Sequence, residues 1–362
     1  MSLNNSINNS RKVILYPVAL VAWLYIKTRN WLYNKKILRS TGFNFPIICV
    51  GNLSLGGTGK SPMVEYLINL LQPTYNVSTL SRGYKRKTKG YLLANEQTTA
   101  LEIGDEPMQF HLKFPKVNVA VGEERIVAVP QLLHDKPETD VIILDDAFQH
   151  RPIKAGLNIL LTPFDKPYWS DSYIPAGDLR DNKSSAQRAE IIIVTKCPAD
   201  LKEEVRKKYL KQINATKEQN VFFTGIEYGA AYDLITKEQL PLNKNLDVLL
   251  VCGIANPRPL RQFLDATVKS YREITFSDHH IFTIDDWRKI EKEYNDIKSN
   301  NKIILTTEKD AVRLVKFGEF LNEIPIYALP IQPAFLFNQQ QEFNHLITSF
   351  IGTFDRVNNQ IP

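Results

Sequence analysis

Short apolar runs alternate with amphipathic stretches through most of the chain after Gly42. Each run is bounded by polar or glycine-rich residues, a pattern typical of buried strands. Strands that alternate with helices indicate an α/β protein with a mainly parallel sheet. The predicted strands are Pro46–Val50, Val77–Leu80, Val117–Val121, Val141–Leu144, Leu157–Leu161, Ile191–Val194, Val221–Thr224, Asp247–Val251 and Ile303–Thr306.

So many strands are unusual for one sheet, and we expect the chain to divide. Between Pro163 and Gln187, prolines and Gly177 interrupt the periodicity, which favours a boundary there. We predict four parts: an N-terminal helical segment (1–40), a first α/β domain (41–165), a second, smaller α/β domain (166–335) and a C-terminal helix and tail (336–362). The helix of the last part is expected over Asn338–Phe350.

The first 40 residues form a distinct segment. Fourteen uncharged residues, VILYPVALVAWLYI, separate Lys12 from Lys27, and Trp31 and Tyr33 follow. The run is shorter than the roughly 20 residues that a helix needs to span a bilayer, and it lacks the cleavage site of a signal peptide. A core helix of the first domain is an alternative. Because aromatic rings and cationic flanks favour the headgroup region, we predict a helix that lies on an anionic membrane surface through residues 11–40.

The distribution of charge sets the same segment apart. The chain has 45 Lys and Arg against 39 Asp and Glu, a net charge of +6. Residues 1–40 hold seven of the basic residues and no acid, so the other 322 residues carry a net charge of −1. A cationic surface for nucleic acid is therefore not expected, and nothing indicates an obligate protein partner. Cys49, Cys197 and Cys252 all lie in apolar sequence, which indicates reduced thiols and a cytoplasmic protein.

The strongest local signal is a glycine-rich turn between a predicted strand and a predicted helix, IICVGNLSLGGTGKSPMVEYLINLL (47–71). Glycines let backbone N–H groups surround phosphates, and the helix N-terminus adds partial positive charge. Ser54 replaces the first glycine of the P-loop pattern G-x-x-x-x-G-K-[ST]. We predict that Lys60 reaches the β- and γ-phosphates of a nucleotide and that Ser61 binds Mg²⁺. The predicted nucleotide-binding residues are Ser54, Leu55, Gly56, Gly57, Thr58, Gly59, Lys60, Ser61 and Pro62.

An acidic residue on a neighbouring strand is also needed to hold the hydrated Mg²⁺. DVIILDDAFQHR contains Asp145 and Asp146 directly after the apolar run Val141–Leu144. One aspartate suffices for that role, and Asp146 could instead cap a helix.

Phosphoryl transfer to an alcohol further needs a base for the hydroxyl proton and cations for the phosphoryl oxygens. The residues alone leave the base open between Asp105, with Glu106 in IGDEPMQF, and the pair His279 and His280 in TFSDHHIFT. Arg82 in LSRGYKRK follows the second predicted strand, where it could bind phosphate or lie in a solvated turn.

Several motifs together resemble the tetraacyldisaccharide 4′-kinase family of lipid A biosynthesis. They are VGNLSLGGTGKSP, LSRGYKRK, GDEP, DDAFQHR, GDLR (177–180), CGIANP, DHHIF and TEKDAVR, in the family's order from Val50 to Arg313. The resemblance implies a P-loop kinase that uses ATP and Mg²⁺ to phosphorylate the 4′-hydroxyl of tetraacyldisaccharide 1-phosphate, which gives lipid IVA. It also implies a peripheral enzyme at the cytoplasmic face of the bacterial inner membrane, with a lipid substrate in that membrane.

The resemblance assigns roles to individual residues. Lys60 corresponds to the catalytic P-loop lysine, Asp105 to the base for the 4′-hydroxyl, and His279 to the partner of that base. Because His279 lies in the second half of the chain, the two domains would have to close for the pair to form. The metal ligands that the resemblance implies are Ser61, Asp145, Asp146, Glu106 and His150. Arg82 and Arg180 are the first candidates for the substrate's 1-phosphate.

Two other functions stay open. GGTGKS also resembles KGGxGK[ST], the motif of a deviant Walker A ATPase switch, but Leu55 stands where that class has its signature lysine. A P-loop kinase of a soluble small molecule would not need the aromatic and cationic segment 11–40.

Overall fold

The computed structural model describes residues 2–278, 280–318 and 324–358. Three short 3₁₀ turns in this part of the chain cover Tyr168–Ser170, Lys183–Arg188 and Val315–Phe317. Its α-helices are α1 (Ser2–Asn34), α2 (Lys60–Leu71), α3 (Ala100–Ile103), α4 (Asp105–Lys113), α5 (Arg125–Asp135), α6 (Glu203–Ile213), α7 (Arg258–Thr267), α8 (Ile284–Asn295), α9 (Glu308–Leu314) and α10 (Gln340–Asn358).

The strands in these residues include all those predicted from the sequence, with ends that differ by a few residues. They are β1 (Thr41–Gly42), β2 (Ile47–Asn52), β3 (Val77–Ser81), β4 (Leu92–Leu93), β5 (Asn118–Val121), β6 (Val141–Asp145), β7 (Ile153–Lys154), β8 (Leu157–Pro163), β9 (Ile191–Thr195), β10 (Asn220–Tyr228), β11 (Ala231–Asp233), β12 (Gln239–Leu240), β13 (Asp247–Cys252), β14 (Ser270–Thr275), β15 (Lys302–Thr307), β16 (Ile326–Leu329) and β17 (Ile331–Phe335).

The larger sheet has the strand order β17-β10-β9-β8-β2-β6-β3-β5-β4. Its strands are parallel except at the two edges, where β17 and β4 pair antiparallel with their neighbours. Both faces are covered: Ile48 and Val50 of β2 belong to one apolar core, and Ile47 and Cys49 belong to the other. Strands buried on both faces read as continuous apolar runs, which is why the sequence identified them.

The smaller sheet has the order β12-β11-β16-β15-β13-β14. The pairs among β16, β15, β13 and β14 are parallel, and those that join β11 to β16 and to β12 are antiparallel. A mixed α/β structure with a second, smaller α/β part is therefore confirmed.

The sheets do not divide the chain at residue 165. Strands β9 and β10 follow that residue and extend the larger sheet, and β17 returns to its edge after the smaller sheet is complete. The proline-rich stretch around Pro175 is thus an excursion between two strands of one sheet. We propose a division in which residues 41–228 and 331–358 form the larger part and residues 231–329 the smaller part.

A buried ionic cluster joins the two sheets. The Nζ atom of Lys113 on α4 lies 2.6 Å from a carboxylate oxygen of Glu65 on α2 and 2.6 Å from one of Glu308 on α9. The Tyr232 hydroxyl, on a strand of the smaller sheet, donates to Glu308 at 3.1 Å. Burial raises the pKa of Glu65 to about 7, and the charge of Glu308 adds to this effect while Lys113 opposes it.

Glu65→Gln is expected to remove a pH dependence of stability. Because the folded-state pKa of Glu65 is raised, its contribution to stability is complete below about pH 4.5 and is lost as the pH rises towards about 7. The glutamine cannot ionise, so at pH 8 we expect the variant to exceed the wild type by about 3 kcal/mol in free energy of unfolding, and to match it near pH 4.5. Urea unfolding across this range, with Glu203→Gln on the surface of α6 as control, measures the difference. A difference that does not change with pH would contradict the prediction.

From residue 15 onward, where the structure describes its side chains, helix α1 packs on the protein along one stripe. The Asn30 amide donates to Asp181 Oδ1 at 2.6 Å, and an Arg29 Nη atom donates to the Gln149 carbonyl at 3.1 Å. Apolar side chains cover much of the rest, and Val21 and Tyr25 are 67% and 69% exposed. We call this surface the apolar face of α1; it consists of Tyr16, Val18, Leu20, Val21, Leu24, Tyr25 and Trp31. In the described residues, no helix combines the length and the apolar character needed to cross a membrane.

Candidate active site

The predicted phosphate loop lies at the carboxyl end of β2 and leads into α2. Gly56 and Gly59 have φ angles of 99° and 90°, a region that glycine enters without steric cost. Helix α2 begins at Lys60, so its first N–H groups point into the loop. Asn52, the last residue of β2, donates to the Thr58 hydroxyl at 2.8 Å and closes the loop on itself. The geometry is that of an anion-binding helix N-terminus.

Ser54, the departure from the motif, is explained by its neighbours. It is buried and forms an isolated antiparallel bridge with Leu179, while the Leu55 N–H donates to the Asp178 carbonyl at 2.8 Å. The segment 177–180 therefore lies along this side of the loop. Since the φ angle of Ser54 is not positive, the position does not require glycine.

Thr195, the last residue of β9, and Lys196 after it bind another side of the loop, a contact that the sequence did not indicate. The Thr195 hydroxyl donates to the Thr58 carbonyl at 2.8 Å, and Lys196 Nζ donates to the Gly57 carbonyl at 2.5 Å. These bonds hold two loop carbonyls away from the centre. The Leu55 and Thr58 N–H groups donate to the Asp178 and Gly56 carbonyls, so the remaining loop N–H groups are the ones that can face a phosphate.

Asp145 is the last residue of β6, the strand next to β2. It is fully buried, and its Oδ1 atom has no hydrogen-bond partner among the described residues. Burial raises the pKa of Asp145 to about 8, with further contributions from the charges of Glu106 and Asp146. A buried carboxylate of this kind is costly unless a cation or a proton compensates it.

Asp146 follows in the left-handed region, at φ 51°, which turns its side chain towards the loop. Arg180 binds both of its carboxylate oxygens and also the Asn52 side chain, while Lys60 Nζ lies 3.8 Å from Asp146 Oδ1. Burial alone would raise the pKa of Asp146, but Lys60 and Arg180 outweigh it and hold that pKa below its usual value. Arg180 is therefore engaged beside the phosphate loop.

Asp105 and Glu106 open helix α4, at the same end of the sheet. The Ser61 hydroxyl donates to Glu106 Oε1 at 3.4 Å, which joins α4 to the phosphate loop. Asp105 accepts a hydrogen bond of 3.0 Å from Arg313 Nε of the smaller sheet's helix α9. The first turn of α4 thus contacts both the start of α2 at the phosphate loop and helix α9 of the smaller sheet.

The residues present fit a Mg²⁺ ion. Across the described residues, no three His, Cys, Asp or Glu side chains converge closely enough to hold a metal by themselves. That is the usual situation for Mg²⁺, which is commonly bound by one or two carboxylates together with phosphate oxygens and water. The unpartnered Oδ1 of Asp145 and the Ser61 hydroxyl are the donors that such an ion would use.

His150 has different surroundings from those of a magnesium ligand. Burial lowers the pKa of His150 to about 4, and the positive charges of Arg125, Arg29 and Arg82 add to the shift. The imidazole is therefore neutral at pH 7 and lies among arginines. Mg²⁺ prefers oxygen ligands, so His150 is not part of the magnesium set that we propose. His279, the other histidine with a predicted role, lies outside the described residues.

Two arginines of the site were not singled out from the sequence. Arg125 begins α5, is 2% exposed, and has no hydrogen-bond partner at Nε in the part of the chain that the structure describes. Its position after β5 was the available signal, since it places Arg125 at the carboxyl edge of the sheet with Arg82. Arg313 stands in the motif TEKDAVR, but nothing local indicates that it reaches Asp105.

Known proteins resemble this chain over nearly its whole length. The family model described as tetraacyldisaccharide-1-P 4′-kinase matches residues 11–352. A tetraacyldisaccharide 4′-kinase of Bacteroides thetaiotaomicron is 43% identical over 351 residues, which cover 93% of this chain and 92% of that protein. The Flavobacterium johnsoniae protein of the same name is 44% identical, over 95% of this chain and 98% of its own length.

A solved structure gives the same result for the fold. LpxK from Aquifex aeolicus, in an "apo" form in complex with ATP, superposes with a TM-score of 0.72 at 29% identity. The match covers 94% of this chain and 99% of the Aquifex chain. By sequence and by structure, the chain belongs to the tetraacyldisaccharide 4′-kinase family.

Proposed function

We propose that this chain transfers the γ-phosphoryl group of ATP to the 4′-hydroxyl of tetraacyldisaccharide 1-phosphate and so forms lipid IVA, at a membrane surface and through the site described above. The observation that carries the proposal is the convergence at one sheet edge of a phosphate loop, two strand-end aspartates and the Asp105–Glu106 pair. Their contacts, Lys60 to Asp146 and Ser61 to Glu106, make them one site.

In the proposed reaction Asp105 accepts the proton of the 4′-hydroxyl while that oxygen forms a bond to the γ-phosphorus. The bond from the γ-phosphorus to the bridging oxygen breaks, and ADP leaves with the bridging oxygen's negative charge. Lys60 and the loop N–H groups hold the β- and γ-phosphates in line with the hydroxyl. Positioning and charge stabilisation are the main tasks of a protein in phosphoryl transfer.

Asp145 and Ser61 are the proposed Mg²⁺ ligands, with Glu106 close enough to orient the Ser61 hydroxyl. A bound Mg²⁺ would neutralise part of the charge that develops on the β- and γ-phosphates. Asp146 has a separate role in the proposal: it holds Arg180 and Lys60 beside the loop, where both cations face the phosphates.

The substrate's 1-phosphate is proposed to bind the arginines around His150. Arg82 is exposed, Arg125 is buried with an unpartnered Nε, and Arg29 comes from α1. A planar guanidinium is well suited to phosphate. Because Arg29 belongs to α1, this cluster would connect the lipid's phosphate with the membrane-facing helix.

The apolar face of α1 supports the proposed membrane site. Monomeric soluble proteins rarely expose a continuous apolar patch unless it binds a membrane or a partner. Lys27, Lys35, Lys36 and Arg39 accompany it, and cations of this kind are attracted to anionic lipids. A substrate with several acyl chains stays in the bilayer. We therefore propose that the protein binds peripherally, at the cytoplasmic face of the bacterial inner membrane.

The triple change Val21→Ser, Leu24→Ser and Tyr25→Ser is expected to weaken membrane binding. Loss of about 1 kcal/mol of apolar burial at each position should reduce the partition coefficient by roughly 100-fold. Co-sedimentation with vesicles that contain anionic lipid measures binding. The control, Val127→Ser with Ile235→Ser, removes exposed apolar side chains elsewhere and should bind as the wild type does. Equal binding by the α1 variant would contradict the proposed face.

One assay tests the function itself. Purified protein is incubated with radiolabelled ATP, Mg²⁺ and tetraacyldisaccharide 1-phosphate in detergent micelles, and the lipid product is separated from ATP. Label is expected in the lipid at the 4′ position. Hydrolysis of ATP without any labelled lipid would contradict a lipid kinase.

A further inference from the structure

The side chain of Arg313 reaches from the smaller sheet to the larger one. It lies on α9 and is 7% exposed. Its Nε donates to Asp105 Oδ2 at 3.0 Å, and one Nη atom donates to the His280 carbonyl at 3.1 Å. The same Nη atom donates to Asp310 Oδ1 at 3.3 Å. One guanidinium therefore contacts a carboxylate of α4 and two groups of the smaller sheet's side.

The smaller sheet fixes this guanidinium in place. Asp310 is fully buried, and its Oδ2 accepts hydrogen bonds from the Gly253 N–H at 2.9 Å and the Thr307 hydroxyl at 2.7 Å. Gly253 follows β13, and Thr307 ends β15 and caps α9. The orientation of Arg313 is thus determined by the central strands of the smaller sheet. Because the N–H donors of a guanidinium lie in one rigid plane, partners that fix some of them also fix the direction of the others.

Asp105, in contrast to Arg313, belongs to the part of the protein that packs on the larger sheet. Its backbone belongs to α4, whose Phe110 packs in the core of the larger sheet. The hydrogen bond from Arg313 holds its Oδ2 atom and so orients the carboxylate plane. A general base must lie within hydrogen-bond reach of the proton that it accepts, and small errors of position are costly.

We infer that Arg313 is a positioning residue for the phosphoryl transfer: it orients the Asp105 carboxylate from the smaller sheet, so that the orientation of the base depends on the docking of the two sheets. The inference rests on the proposed function, in which Asp105 is the base. The Lys113 cluster joins the same two sheets without contacting Asp105, so docking alone does not need Arg313.

Arg313→Ala is expected to lower kcat by about 100-fold. The KM values for ATP and for the lipid should stay within about two-fold, because the substrates' contacts remain. Guanidinium ion added at millimolar concentration should restore much of the lost kcat to this variant and none to Asp105→Asn. Arg261→Ala is the matched control: it removes a guanidinium with two 2.8 Å bonds to Glu273 in the smaller sheet and should keep wild-type kcat.

Arg313→Lys tests the positioning role of Arg313 if the alanine variant does not fold. Lysine keeps the charge but cannot hold Asp105, the His280 carbonyl and Asp310 in one plane, so a roughly 10-fold lower kcat with an unchanged Tm is expected. Wild-type kcat in Arg313→Lys, or a loss in Arg313→Ala that lies in KM alone or resists guanidinium, would overturn the inference. Absence of lipid phosphorylation by the wild type would instead contradict the proposed function.

Discussion

Asp105→Asn is expected to lower kcat for lipid phosphorylation by about 10³-fold, within the range that a general base contributes. Asparagine has nearly the same shape and can still accept the hydrogen bond from Arg313 Nε. It cannot accept the proton of the 4′-hydroxyl. The first turn of α4 and the Ser61–Glu106 contact should be preserved, so ATP should bind as tightly as to the wild type.

Two measurements separate loss of the base from loss of structure. Single-turnover phosphorylation in micelles gives the rate of the chemical step, and calorimetric titration with ATP gives the affinity. Asp285→Asn, a carboxylate with an 83% exposed side chain in the smaller sheet's helix α8, is the control and should retain wild-type activity. A kcat within ten-fold of the wild type for Asp105→Asn would remove Asp105 from the proposed mechanism.

Lys60→Met is expected to lower kcat by about 10²- to 10³-fold, the usual effect of removing one group that stabilises transition-state charge. Methionine keeps the apolar stem and removes the ammonium group, whose distance of 3.8 Å from Asp146 Oδ1 places it at the phosphate loop. ATP affinity should also fall, because the ground-state phosphates lose the same charge. Arg180 still binds Asp146, so the fold around the loop should persist.

The control for this variant is Lys208→Met, which removes an exposed lysine from α6. The transfer rates and ATP affinities of the two variants are compared after their Tm values have been shown to be equal. Similar rates for Lys60→Met and Lys208→Met would show that the loop lysine does not stabilise the transferred group.

Much of the fold was predictable because its signals are local. The larger sheet is covered on both faces, so each central strand appears as an apolar run, and all the strands predicted in this way are present. The edge strands β4 and β17 were missed because they are only half-buried, and β4 is also short. The pairing of β9 with β8, on the far side of the proline-rich stretch, was not predictable for a related reason. Prolines in an excursion resemble those of a linker, and local periodicity does not show which strands pair.

The sequence by itself determined the chemical groups and their local geometry: the phosphate loop, the aspartates at the end of β6, the pair Asp105 and Glu106, and the apolar segment of α1. Glycine conformations, strand ends and helix starts depend on neighbouring residues, so these features could be located without a structure. Only the tertiary structure decided which groups meet. Arg313 and Asp105 are 208 positions apart, and Arg29 and Gln149 are 120 apart. Contacts of that kind depend on how the two sheets and α1 pack together. The residues next to each partner in the sequence do not indicate that packing.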